Sequence, residues 1–75
     1  MNYTTSKISA DKALVNPETE LGKFHRFGAD GEVYKVVGVG SQLPDGDRMM
    51  RIVLPKTGEG VDYRLSRVLA DPREA

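Results

Sequence analysis

The sequence contains no cysteine and no tryptophan. Without cysteine there are no disulfides and no thiolate metal sites. Aromatic residues are few, three Tyr and two Phe, and a core built from this chain has few large rings to draw on. No apolar run approaches the roughly 20 residues that a membrane helix needs. The opening Met1-Asn2-Tyr3-Thr4-Thr5-Ser6-Lys7 lacks the apolar stretch of a secretory signal. The expected compartment is the cytoplasm. Charge of one sign is not in excess either, with eleven basic and eleven acidic side chains. The balance holds locally: residues 1–21 carry two basic and three acidic residues, 22–54 five and four, and 55–75 four and four. A domain that binds nucleic acid usually shows a basic excess, because phosphate neutralisation dominates its affinity.

What is present fits one small domain. Seventy-five residues allow a single core. Residues 1–21 are polar with scattered apolar side chains and read as a flexible N-terminal arm. Ser9 is placed to cap a short helical turn over Ala10–Val15, which Asn16-Pro17 ends because the residue before proline avoids helical dihedrals. Such a short helix is marginal in water.

Residues 22–75 form the expected β domain. Its strand-like runs are Lys23–Phe27, Val33–Val39, Arg48–Leu54 and Val61–Leu65, rich in β-branched and aromatic residues and separated by glycine-rich turns. Gly38 inside the second run predicts a bulge or bend. Leu43-Pro44-Asp45-Gly46-Asp47 is a turn, with proline presetting φ and Asp-Gly reversing the chain. Alternation puts Met50, Ile52 and Leu54 on one face of the third run and Met49, Arg51 and Val53 on the other. In the fourth, Val61, Tyr63 and Leu65 point inward, Asp62 and Arg64 outward. Ser66 is placed to cap a last helical turn, Arg67–Ala70, stopped at Asp71-Pro72, with Val68 and Leu69 packing back onto the sheet. The expectation is a mainly β fold: a four-stranded antiparallel meander, closed into a small SH3-like barrel, with a short C-terminal helical turn. An open sheet is the alternative.

Catalytic motifs fail on inspection. Ser9-Ala10-Asp11-Lys12 matches the S-x-x-K string of penicillin-recognising enzymes but has neither companion motif. Gly38-Val39-Gly40 begins like a dinucleotide fingerprint, but Leu43 stands where the third glycine belongs. Asp45-Gly46-Asp47 offers too few oxygen ligands for a calcium loop. His25 is the sole histidine, has no partner set for metal or general-base chemistry, and reads as a surface or edge side chain. The chain is therefore expected not to be an enzyme, and no cofactor or metal is implied.

Two surfaces are candidates for binding. Met49, Arg51, Val53 and Arg64 share the outer face of the last two strands, and a mixed apolar-and-arginine patch has the composition of a protein interface. Lys23, Phe24, His25 and Arg26, extended by Tyr34, interleave cations with rings as single-strand nucleic-acid binders do. The alternative for these is that the Phe residues are core anchors. The first expectation is a non-catalytic protein-binding module: a small inhibitor, antitoxin or accessory subunit from a bacterium or mobile genetic element. The second is a small-barrel nucleic-acid binder.

The segments Arg26-Phe27-Gly28 through Tyr34-Lys35-Val36, Leu43-Pro44-Asp45-Gly46, Lys56-Thr57-Gly58-Glu59 and Asp62-Tyr63-Arg64-Leu65-Ser66-Arg67-Val68-Leu69-Ala70-Asp71-Pro72 carry a resemblance. Over residues 22–73 the chain resembles a family of short bacterial proteins known as a domain of unknown function (family 5397). That resemblance implies no catalytic residue and no ligand, and leaves the arm before Gly22 outside.

Overall fold

A computed structural model describes residues 16–74. The chain enters through a 3-10 turn, Pro17–Glu20, whose first amide is capped: Glu18 N–H donates to Asn16 Oδ1 at 3.0 Å. Proline at the first helical position gives up an amide that has no partner there anyway, so Pro17 opens a turn here. The turn packs against the sheet and buries Glu20. The last residues of the expected arm thus belong to the folded body; the helical signal at Ser9–Val15 lies outside the described residues.

Four strands follow in meander order: β1 Phe24–Arg26, β2 Val33–Gln42, β3 Arg48–Leu54 and β4 Glu59–Arg64, each antiparallel to the next. The β2–β3 register slips by one residue between Val36 and Gly38, and again between Val39 and Gln42. The bulge foreseen at Gly38 is there. The β2–β3 turn also follows its chemistry: Gly46 takes φ +92°, and Asp45 Oδ1 accepts from Asp47 N–H at 3.0 Å.

Alternation along the strands selects the core. Tyr34, Val36, Met50 and Ile52 are buried on the inner face, with Leu54, Val61 and Tyr63 partly buried around them. Helix α1, Leu65–Ala70, directly continues β4 and lays Leu65 and Val68 onto that face. Leu69 does not join them and stays 44% exposed, since a six-residue helix presents one narrow stripe. Ser66 is not the helix cap: the cap residue is Arg64, which makes no side-chain capping bond.

The sheet does not close. β1 and β4 are its two edges, and the expected barrel is only approximated. After α1 the chain returns to the outer edge of β1: Arg26 N–H donates to the Pro72 carbonyl at 3.0 Å and Glu74 N–H to the Phe24 carbonyl at 2.8 Å, bracketing a bridge between His25 and Arg73. No described segment pairs with the outer edge of β4.

Candidate functional site

Two polar clusters hold the sheet, α1 and the returning chain together. In the first, the buried Asp47 carboxylate gathers the β2–β3 turn and the start of α1. Its Oδ1 accepts from Arg48 N–H at 2.8 Å and Ser66 N–H at 3.1 Å; its Oδ2 accepts from the Ser66 hydroxyl at 2.6 Å and Arg64 Nη1 at 3.3 Å. Burial pushes this carboxyl up, but the Ser66 hydroxyl, the two amides and Arg64 outweigh it and hold it down at about 2. Arg64 also bonds Asp45 Oδ2 at 2.8 Å, the main cause of the lowered Asp45 carboxyl.

In the second cluster, Asp71 Oδ2 accepts from the Tyr34 hydroxyl at 2.7 Å and the Tyr63 hydroxyl at 3.0 Å, while Oδ1 accepts from Gly28 N–H at 3.1 Å. Burial and then the bond to Asp71 raise both phenols above their ordinary range. Phe27 packs between the rings, 4.5 Å from Tyr34 and edge-on to Tyr63 at 5.2 Å. His25 stacks on Tyr34 at 5.7 Å, with Nε2 3.0 Å from Glu20 Oε1 and Nδ1 3.4 Å from the Asp71 carbonyl.

These contacts decide where the candidate residues lie. His25, expected at the surface, is 3% exposed, and Tyr34 is fully buried. His25 sits inside because Phe24 and Arg26 face outward and alternation turns the residue between them to the core; Tyr34, its register partner on β2, lies on the same face. Arg26 donates through Nε and Nη2 to both Glu74 oxygens at 3.1 Å and through Nη1 to the Gly31 carbonyl at 2.9 Å. That fork–fork pair, which raises the guanidinium's pKa, consumes the geometry a phosphate would use. Lys23 lies 3.8 Å from Glu20. Of the basic and aromatic set, Phe24 alone offers an exposed ring.

Met49, Arg51, Val53 and Arg64 do share one face, as expected. The register puts Phe24, Lys35, Val53 and Gly60 in a row across the sheet, Gly38, Arg51 and Asp62 in the next, and Met49 beside Arg64. Lys35 Nζ sits 5.6 Å above the Phe24 ring. Arg51 lies across Gly60, where a Cβ would stand 3.2 Å from the guanidinium, and bonds Asp62 at 3.1 Å. Arg64 is committed to Asp45 and Asp47, which leaves Met49, Arg51 and Val53 from the expected four. Phe24 (39% exposed) and Val37 (44%) add apolar surface that sequence reasoning had not placed on this face. The pairing of short β1 with β2 was the missing signal.

At one end of this face lies a groove of about 560 Å³, lined by the apolar Phe24, Val33 and Pro55 together with Arg26, Asp30, Glu32 and Lys56. The turn before β2, which contributes Asp30 and Glu32, is tight: a Cβ on Gly31 would run into the Phe27 carbonyl oxygen. Among the described residues no group of three acidic or histidine side chains is arranged to hold a metal ion, and no helix is long and apolar enough to cross a membrane.

A known protein and a family model each match this chain along most of its length. A protein of Haemophilus influenzae (strain Rd), named as an uncharacterized protein, is 45% identical over 51 residues, spanning 68% of this chain and 81% of that one. A family model described as "Family of unknown function (DUF5397)" matches residues 12–75, beginning inside the expected arm and not at Gly22. With its strands, its turns and the closing Leu-Ala-Asp-Pro all inside that span, the chain belongs to the family of unknown function DUF5397.

Proposed function

We propose that this protein is a non-catalytic protein-binding module that engages a polypeptide partner through the outer face of its sheet. One observation carries the reading: Phe24, Val37, Met49 and Val53, interspersed with Arg51 and Lys35, share a face that no described element covers. The inner face, by contrast, is filled by α1 and the tyrosines. Apolar and aromatic anchors with arginine at their margin are the composition from which interface hot spots are drawn. Nucleic-acid binding is less favoured, since His25 and Tyr34 are buried and Arg26 is already matched by Glu74.

The test is capture from the native host by the full chain and by a Met49→Ala/Arg51→Ala variant, followed by reconstitution with the purified partner. A partner retained by the wild type should bind at least about tenfold more weakly to the variant, the loss expected when anchors are truncated. Equal binding, or a sub-micromolar complex with single-stranded oligonucleotides that weakens steeply with salt, would refute the reading.

A further inference from the structure

Resting on the protein-binding reading, we infer that the groove beside Phe24 receives an extended peptide that presents a large apolar side chain with a basic residue next to it. The apolar lining sets the first requirement. Phe24, Val33 and Pro55 are apolar, Phe24 is exposed, and a cavity of about 560 Å³ exceeds what one side chain fills, so neighbouring peptide backbone fits as well.

Charge sets the second. Asp30 and Glu32, from the turn before β2, make no ion pair with any described residue. Arg26, also in the groove lining, feels the Asp30 charge, but its guanidinium is bonded by both oxygens of Glu74. Two carboxylates without a direct ion pair among the described residues therefore stand beside apolar lining, complementary to a basic side chain next to an apolar anchor. Lys56 follows Pro55 in the lining, also without an ion-pair partner among the described residues, and favours an acidic group on the far side of the anchor. Basic, apolar, acidic is thus the order in which the peptide crosses the groove.

A library of random linear peptides displayed on phage, selected against the full chain, tests this directly. The expected result is enrichment of an apolar residue flanked by Arg or Lys. A labelled synthetic peptide of that pattern should then lose at least about tenfold in affinity by fluorescence anisotropy with Asp30→Lys/Glu32→Lys, and similarly with Phe24→Ala. A peptide with its basic residue changed to Glu should recover affinity for the charge-reversed variant. Both changes lie at exposed positions, and unchanged circular dichroism and melting midpoints would confirm that the variants are folded.

The inference is overturned if no common pattern is selected, or if the charge reversal leaves binding unchanged. If binding is lost in Met49→Ala/Arg51→Ala but kept in the groove variants, the groove inference fails and the protein-binding reading stands. If no peptide is selected and an oligonucleotide binds tightly, both fail.

Discussion

Asp47 and Asp71 stand at opposite ends of the same six-residue helix, and they hold it by different chemistry. Asp47 comes from a distant turn and supplies the helix start with what its own cap residue lacks: an acceptor for the Ser66 amide, close to the positive end of the helix dipole. Its partners include a cation and a hydroxyl, and it stays ionised far into acid. Asp71 is the C-cap residue itself, where the dipole disfavours a carboxylate. It answers neutral donors instead, two phenols and one amide. One carboxylate is a charged rivet; the other is a neutral-donor hub joining sheet, helix and the β1–β2 turn.

The comparison is broken most severely at Asp47. Asp47→Ala leaves the half-buried Ser66 donors and the Arg48 amide without their acceptor, and should cost roughly 3–5 kcal/mol, since several hydrogen bonds to one ionised group are lost together. Chemical denaturation measures it, and a loss under about 1 kcal/mol would remove Asp47 from its central place. Asp71→Ala should cost less, about 1–3 kcal/mol, because the Tyr34 and Tyr63 hydroxyls become unpaired without any charge being stranded. If that loss instead exceeds the one at Asp47, the assignment of the stronger hold to the charged cluster is wrong.

Acid and alkali should separate the two clusters more finely. The Asp47 carboxyl is depressed in the folded protein, so its stabilisation is complete above the ordinary 3.8 and is lost as pH falls toward about 2. An Asp47→Asn variant should show a flatter melting-temperature profile across that window. The phenols work in the opposite sense: raised in the folded state, they contribute fully below the ordinary value of 10.0 and progressively less above it. Tyr34→Phe should remove a tyrosinate absorbance step that is delayed beyond that of an exposed phenol. A step at the ordinary position would mean that Asp71 and burial do not protect Tyr34. The smallest effect belongs to the exposed Arg51–Asp62 pair: Asp62→Ala should change stability by about 0–1 kcal/mol in denaturant melts.

The strands, their inner and outer faces, the Gly38 bulge and the β2–β3 turn were legible because each is written in residues a few positions apart. Met50 and Ile52 could be assigned to the core from period-two alternation alone. The two clusters were not legible, because a carboxylate's partners leave no periodic trace. Asp45-Gly46-Asp47 reads as a turn, and nothing nearby says that Asp47 reaches Ser66, 19 residues on. A clue did exist: a helix that follows a strand without a break has a cap residue with extended dihedrals, and when that residue is arginine the acceptor must come from elsewhere. His25 was misplaced for a related reason. A lone histidine among cations reads as solvated until the outward turn of Phe24 and Arg26, and the arrival of Glu20, put it inside. The outer face was half legible: Met49, Arg51 and Val53 followed from alternation, while Phe24 and the groove depend on pairing and on turns folding toward each other in space.

The return of residues 72–74 to the edge of β1 has a kinetic side. Arg26 and Glu74 are 48 positions apart, so the first strand of the sheet receives its outer neighbour only after a large loop has closed. Non-local closures of this kind slow folding, whereas β2, β3 and β4 can zip from their short turns. During that interval β1 presents an open row of amides and carbonyls beside an exposed phenylalanine, the form in which sheet edges recruit other chains. Loss of the last few residues would therefore register first as association between copies during refolding, before any change in the strands at the other end of the sheet.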